Sequence, residues 1–491
     1  MRCLLITLQE DVHVIGLKYI ASSITRAGYD TRILILPGYN EQRLIPPVEG
    51  FIREYDPDLI GFSLMSTDFH NTAMLTSLIR REFDIPILWG GVHVTLYPEE
   101  CLRHADYICV GEGEYPIVSL LDHLKSRSST DVPDIPGIWL LRDGRIYGGE
   151  RVSPPVKPAD LPKQEFMPEY IYCLYRGSIY NLRKTPEVFR RYSLHNGRIY
   201  LTVTTRGCPF SCGYCANAYL ADTYGGLFRE RTVGDCIEEL KGVKGYGGIR
   251  YIGFEDHCFL LHNREWIERF SEEYRRHIGL PFMLRVDPQT LDRVKLMRLR
   301  KAGLIMVTVD IKSCSERVNR EFFQRRISHS YLVLSSEILS DSRVAASYEI
   351  LTGNPLETDE DRIEAINIMS GLKKPFIIHT LPFTFIPGTP LREMAEQAGI
   401  SGLDRPEHDH YLDRLLLITP YIPRLLIRHL NRPAKDRGIH HALLLNILYI
   451  LTRVIIKPLF DSFTIARSNH YNPSRTVRAI LLRLSTGPAV P

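Results

Sequence analysis

The chain has 491 residues, 44% of them hydrophobic and 24% charged, which excludes a disordered, collagen-like or small disulfide-scaffold protein. At roughly 150 residues per domain it is long enough for about three domains. The opening MRCLLITLQED meets Glu10 and Asp11 too soon for a signal peptide or spanning helix, and ten cysteines at this length predict reduced thiols; a cytoplasmic protein is expected. The net charge of +4 hides an asymmetry, because residues 421–491 hold 11 Lys+Arg against 2 Asp+Glu, net +9, and the first 420 are net −5. A basic tail can dock on anionic lipid, nucleic acid or an acidic face of its own protein, and charge alone does not choose.

Residues 1–130 alternate short apolar runs, near 3–7, 31–36, 59–63, 86–89 and 107–110, with helical patterns. This predicts a doubly wound, Rossmann-like or flavodoxin-like α/β domain with a parallel sheet. Ligands of such a sheet lie beyond the carboxyl ends of its strands. There the sequence places residues 11–16, 63–67, 90–93 and 111–114, four loops expected to converge on one crevice.

Residues 131–195 are rich in Pro, Gly and Arg and are expected as a linker with a hairpin over 137–149. From 196 to 400 a second series follows, with strands near 199–204, 251–254, 282–285, 306–311, 346–351 and 376–380. One helix starts at 358, where Thr358 N-caps a first turn of Asp359, Glu360 and Asp361. Six βα units predict a partial (β/α)6 barrel with its chemistry at the carboxyl strand ends. Residues 401–491 are expected to form a helical, basic C-terminal region. Its apolar segment 442–456, ALLLNILYILTRVII, is interrupted by Asn446 and Arg453 and is too short to span a bilayer, which leaves an interfacial or core helix.

The segment CPFSCGYC places Cys208, Cys212 and Cys215 in a CxxxCxxC array after the first strand of the second series. Three thiolates this close can hold three irons of a cubane cluster and leave the fourth open to another ligand. The competing reading is structural zinc, with His195 or His257 as fourth ligand, in a non-catalytic binding protein. Zinc more often uses paired CxxC or Cys/His spacings.

The array resembles that of the radical SAM superfamily, whose open iron binds S-adenosylmethionine (SAM) and cleaves it reductively to a 5′-deoxyadenosyl radical. Tyr214 stands at the aromatic position before the third cysteine. Phe254-Glu255-Asp256-His257-Cys258-Phe259 is similar to the family's acidic segment after the second strand, and residues 348–357, YEILTGNPLE, to the segment after the fifth. Ile386-Pro387-Gly388-Thr389-Pro390-Leu391 is similar to the PGTP after the sixth. By this resemblance Tyr214, Glu255, Asp256 and Glu349 are expected to contact the cofactor. Where relatives carry Gly-x-Glu-Ser at the end of strand four, this chain has Asp310-Ile311-Lys312-Ser313, a base in place of an acid. Arg285 and Asp310 serve either as barrel salt bridges or as cofactor contacts.

The N-terminal domain resembles the cobalamin-binding domain fused to one branch of that superfamily, chiefly in GGVHVTLYPEE and ADYICVGEGE. Asp11-Val12-His13-Val14-Ile15-Gly16 matches DxHxxG, Ser63-Leu64-Met65 approximates SxL, and Gly90-Gly91 supplies the glycine pair. The resemblance implies that Asp11, His13, Gly16, Ser63, Gly90, Gly91, Gly111, Glu112 and Gly113 line the cobalamin, the glycines admitting a large ligand. His13 is either a cobalt ligand whose tautomer Asp11 sets, or a first-turn surface residue behind an Asp11 N-cap.

The implied cofactors are a 4Fe–4S cluster, SAM and cobalamin, and the implied function is methylation of an unactivated carbon. Anaerobic oxidative cyclisation or rearrangement is the alternative. Methylthiolation is disfavoured because Cys3, Cys101 and Cys109 show no second-cluster grouping. The implied partners are a small-molecule substrate and an electron donor such as flavodoxin or ferredoxin. The arginine-flanked tail adds a lipid or terpenoid substrate and peripheral membrane contact, and nucleic acid is not expected.

Overall fold

The computed structural model describes residues 1–457 apart from 39–40, 127–131, 150, 225–227, 247, 387 and 401–409; Pro387 and the basic stretch 458–491 lie outside the described residues. By their contacts the residues form two compact units, 1–207 with 219–252, and 208–218 with 253 onwards.

The first unit is built on β1 (Arg2–Thr7), β2 (Asp30–Ile35), β3 (Leu59–Ser63), β4 (Ile87–Gly90) and β5 (Tyr107–Cys109), joined by helices. β1 and β3 are buried along nearly their whole length, as parallel strands covered on both faces must be. Leu4 and Ile6 enter one core and Cys3 and Leu5 the other, the alternation that a strand imposes. β1 pairs in parallel with β2 on one side and β3 on the other. The strand order therefore reverses between β3 and β1, the switch point at which a crevice opens between departing loops.

The stretch expected as a linker instead completes this sheet. β6 (Ile138–Arg142) and β7 (Arg145–Tyr147) make the anticipated hairpin, and it pairs antiparallel with β5 through Cys109 and Ile138. β8 (Ile171–Tyr175) lies parallel to β2 and forms a second hairpin with β9 (Ser178–Asn181). The nine-stranded order is β7-β6-β5-β4-β3-β1-β2-β8-β9. Pro154, Pro155, Pro158, Pro162 and Pro168 all fall between these strands, so no ladder position loses its N–H.

The later strands are β10 (Ile199–Thr202), β11 (Thr205–Arg206), β12 (Arg229–Glu230), β13 (Tyr251–Phe254), β14 (Phe282–Val286), β15 (Leu304–Lys312), β16 (Ala345–Thr352) and β17 (Phe376–Pro382). Six of them form one sheet in the order β10-β13-β14-β15-β16-β17, with β14 to β17 parallel, and β11 pairs antiparallel with β12 in a separate ribbon. The order is linear, as in a partial barrel. Thr358 caps the helix Asp359–Gly371 in a reciprocal box with Asp361, as its position predicts. At the C-terminal side the helix Ile439–Leu451 continues through a π turn, Thr452–Ile456. The apolar segment is thus longer than its expected bounds: by length and composition Ile439–Ile456 could cross a membrane.

Candidate functional site

In the second unit Cys208, Cys212 and Cys215 are half-buried, free thiols. The Cys215 N–H donates to the Cys212 carbonyl at 3.0 Å, a tight turn. The Gly213 N–H donates to the Phe323 carbonyl and the Leu391 N–H to the Gly213 carbonyl, each at 2.9 Å. A Cβ on Gly213 would stand 2.8 Å from the Phe322 carbonyl oxygen, so this grip requires glycine. The π turn Val318–Phe322 delivers Phe323, whose ring meets Tyr214 at 4.7 Å, and the Tyr214 hydroxyl donates to the Cys212 sulfur.

Burial pushes the Cys208 thiol up to about 12 and those of Cys212 and Cys215 upward. Bare thiolates are costly here, and a metal that takes the protons' place removes that cost. Arg325 eases it at Cys212, and Lys312 and Arg325 at Cys215. Among the described residues no three Cys, His, Asp or Glu side chains approach closely enough to share one ion. A cubane gives each cysteine its own iron, and three half-buried free thiols on one loop suit that donor set. His257 is exposed, and the His195 side chain lies outside the described residues.

A charged network lies at the carboxyl strand ends of this unit. Arg285 on β14 donates to Asp310 at 2.9 Å and to Glu349 at 2.7 Å, and stands 3.8 Å from Glu255. Lys312 bonds Glu349 and lies 3.5 Å from Asp310. It adopts a left-handed φ of 66° beside a register shift in β15, an uncommon backbone state for a side-chain-bearing residue. Burial pushes Asp310 up against the pull of Arg285 and Lys312; at Glu349 the same two cations outweigh burial and bring the carboxyl down. The structure thus brings together Glu255, Arg285, Asp310, Lys312 and Glu349, and Asp256 is buried next to Glu255 in sequence.

Sequence reasoning missed Arg325. It is 5% exposed, donates to Asp287 at 2.6 Å and to the carbonyls of Asp310 and Ile311 at 2.8 and 2.7 Å, and leaves its Nε unbonded. Nothing in the run Gln324-Arg325-Arg326 marks which arginine is buried.

In the first unit the loops at the carboxyl strand ends are knit together. The Thr7 hydroxyl donates to the Ser63 carbonyl at 3.0 Å, the Leu64 N–H to the Gly90 carbonyl at 3.0 Å, and the Gly111 N–H to Thr95 Oγ1 at 3.1 Å. Gly91, at φ +103°, would carry a Cβ 2.6 Å from the Leu64 carbonyl oxygen, and Gly111, at φ +99°, one in collision with the Tyr224 hydroxyl. These glycines serve the chain's packing on itself. Gly90 and Gly113 are less confined, and around Gly16 a Cβ would meet nothing within 4 Å.

His13 lies inside the first unit. It is 3% exposed, with Nδ1 2.7 Å from Asp11 Oδ1 and Nε2 3.1 Å from the Ile199 carbonyl oxygen. Both partners carry acceptor oxygens, so both ring nitrogens lie beside the protein's own polar groups in this geometry. His13 is no surface residue, since Phe189 and Tyr200 enclose it. Glu112 is likewise engaged, accepting two hydrogen bonds from Arg229 at 2.8 Å. An unpartnered polar atom stands at a residue the motif reading passed by: His93, buried after β4, bonds Ser66 through Nδ1 at 3.0 Å and has no partner for Nε2. Its signal lay inside GGVHVTLYPEE.

Comparison with known proteins fits both centres. Residues 1–121 match the B12 binding domain and residues 202–369 the radical SAM superfamily. The chain carries an N-terminal B12 binding domain followed by a radical SAM domain. It is an enzyme whose cofactors are a 4Fe–4S cluster, SAM and cobalamin. Among its relatives an uncharacterized methyltransferase of Pyrococcus horikoshii is 23% identical, covering 78% of each chain. The anaerobic magnesium-protoporphyrin IX monomethyl ester cyclase of Rubrivivax gelatinosus is 22% identical over 70% of this chain, which spans 59% of that relative's length. The fold is similar to that of the radical S-adenosylmethionine methyltransferase TsrM from Kitasatospora setae, at a TM-score of 0.64 and 18% identity, over 81% of this chain and 76% of that one.

Proposed function

We propose that the enzyme methylates an unactivated carbon of a small molecule of lipid or terpenoid type. It would do so in the cytoplasm, peripherally at a membrane, with a flavodoxin or ferredoxin as electron donor. The carrying observation is the cysteine loop, three free thiols gripped through Gly213 by Phe323 and Leu391 beside the cations Arg325 and Lys312. When bound, the cluster with SAM supplies the 5′-deoxyadenosyl radical and cobalamin supplies the methyl group.

In this reading Cys208, Cys212 and Cys215 each hold one iron and Tyr214 packs behind them. Glu255, Asp256 and Glu349, with Asp310, Lys312 and Arg285, present the paired charges that orient a zwitterionic amino-acid moiety. In the first unit Asp11, His13 and Glu112 brace the loops from within. Gly16, Ser63, Gly90 and Gly113 form their surface toward the corrin, Gly91 and Gly111 shape the backbone that carries it, and the unpartnered Nε2 of His93 is a polar group at the same strand end.

The test is anaerobic reconstitution with iron, sulfide and hydroxocobalamin. The enzyme should retain corrin through gel filtration and form 5′-deoxyadenosine, and Cys212→Ala should abolish the latter; absence of both would sink the proposal. The cyclase relative supports a second reading, oxidative ring formation. Label from the SAM methyl group appearing in product separates the two.

A further inference from the structure

Helix Ile439–Ile456 carries an apolar face that no described residue covers. Ile439, Leu443, Ile447, Ile450 and Val454 are 48–89% exposed and recur at i, i+4, i+8, i+11 and i+15, one stripe of a helix. The opposite arc, His441, Leu445 and Thr452, is buried. The helix packs on His410–Ile418, where Arg414 donates to Asn446 at 2.7 Å. A helix held along its side in this way lies on the surface of its unit instead of crossing a bilayer, and its 18 residues lay down a stripe about 27 Å long.

Charge selects the occupant. Residues 421–457 hold seven Lys and Arg against one Asp. At about 100° per residue Arg453 falls about 40° from the bearing of Ile439, so an exposed cation borders the stripe, with exposed Arg428 on the preceding helix. A second copy would set net +6 against net +6, whereas the headgroups of an anionic bilayer neutralise it while its acyl region takes the isoleucines. We propose that this face docks the enzyme flat on an anionic lipid surface. The inference names the surface behind the peripheral placement proposed above and does not rest on the reaction.

The test is flotation of the full-length, reconstituted enzyme with phosphatidylcholine vesicles, with and without phosphatidylglycerol, while 5′-deoxyadenosine formation is followed in the same preparation. The enzyme should float with the anionic vesicles at low salt and about tenfold less with the neutral ones. Ile447→Asp with Ile450→Asp and Val454→Asp should remove binding and leave SAM cleavage intact. Arg453→Gln should weaken binding about fivefold. Binding without SAM cleavage would uphold the docking face while the reaction fails. Equal binding to both vesicles, flotation retained by the triple variant, or resistance to a high-salt wash would overturn the proposal. So would lipid-free self-association that the triple variant abolishes, since the face would then belong to a second copy.

Discussion

The loop after β1 and the loop after β11 both carry short motifs of metal-ligating residues, and the fold treats them in opposite ways. In residues 11–16 the acid and the imidazole spend their hydrogen bonds on each other and on the Ile199 carbonyl. In residues 208–215 the backbone is gripped at Gly213, while the three thiols are tied up in no disulfide. A motif residue whose polar atoms are taken up by its own chain acts as a brace, and a thiol held in no disulfide on a fixed backbone is available to a ligand. The same contrast separates Glu112, engaged by Arg229, from His93, with Nε2 open.

The largest effect that sharpens the comparison belongs to Gly213→Ala. Its Cβ would press on the Phe322 carbonyl oxygen at 2.8 Å, a backbone atom that cannot swing aside, at a cost of about 1–3 kcal/mol localised to the cysteine loop. Reconstituted variant should lose most of its iron on desalting. A full iron complement would show that the grip on Gly213 does not hold the cluster loop.

His13→Ala comes next. A brace removes stability before any cofactor is added, so apo-protein should lose about 2–3 kcal/mol in urea unfolding, the cost of a buried ring and its two stranded acceptors. The wild-type cob(II)alamin spectrum should show no histidine nitrogen splitting. Unchanged apo stability together with that splitting would return His13 to cobalt.

What the sequence disclosed divides along the same line. The parallel strands were legible because each is an apolar run between helical patterns, and the cysteine array because its chemistry fits within eight residues. β6 to β9 were obscured by prolines that border strands without entering them. The partner of His13 lies 186 residues away and that of Arg325 at Asp287 lies 38 away. Local spacing can propose a ligand set; only the tertiary partner decides whether its atoms are free.

The comparison extends to two acids four residues apart. Asp361 accepts from Ser315 and Arg317, which overcome burial and hold it at about 2. Glu357 accepts from Ser313 at 2.9 Å, and burial outweighs that bond and the pull of Arg362 and pushes it up to about 7. Folded protein therefore keeps the Glu357 proton to higher pH than the unfolded chain. Its contribution is complete below about 4.5 and is lost as pH rises through 7, a fall of about 1–3 kcal/mol. Asp361 contributes above 3.8 and loses that only as pH falls toward 2, so it does not tilt the neutral range. Glu357→Gln should flatten the stability profile between pH 5 and 8, and an unchanged slope would assign the fall elsewhere.

The smallest effect is the most discriminating for the crevice. Gly16 stands in the first turn of helix Ile15–Arg26, and a Cβ there meets nothing within 4 Å. In apo-protein Gly16→Ala should be neutral or stabilising by a few tenths of a kcal/mol, about what removing a helical glycine gains. Gly91→Ala meets the Leu64 carbonyl oxygen and should destabilise apo- and holo-protein alike. If the open space at Gly16 belongs to a corrin, its alanine variant should release cobalamin faster on gel filtration with its apo unfolding unchanged. Cobalamin retention equal to wild type would place the ligand away from this turn and leave the space to solvent.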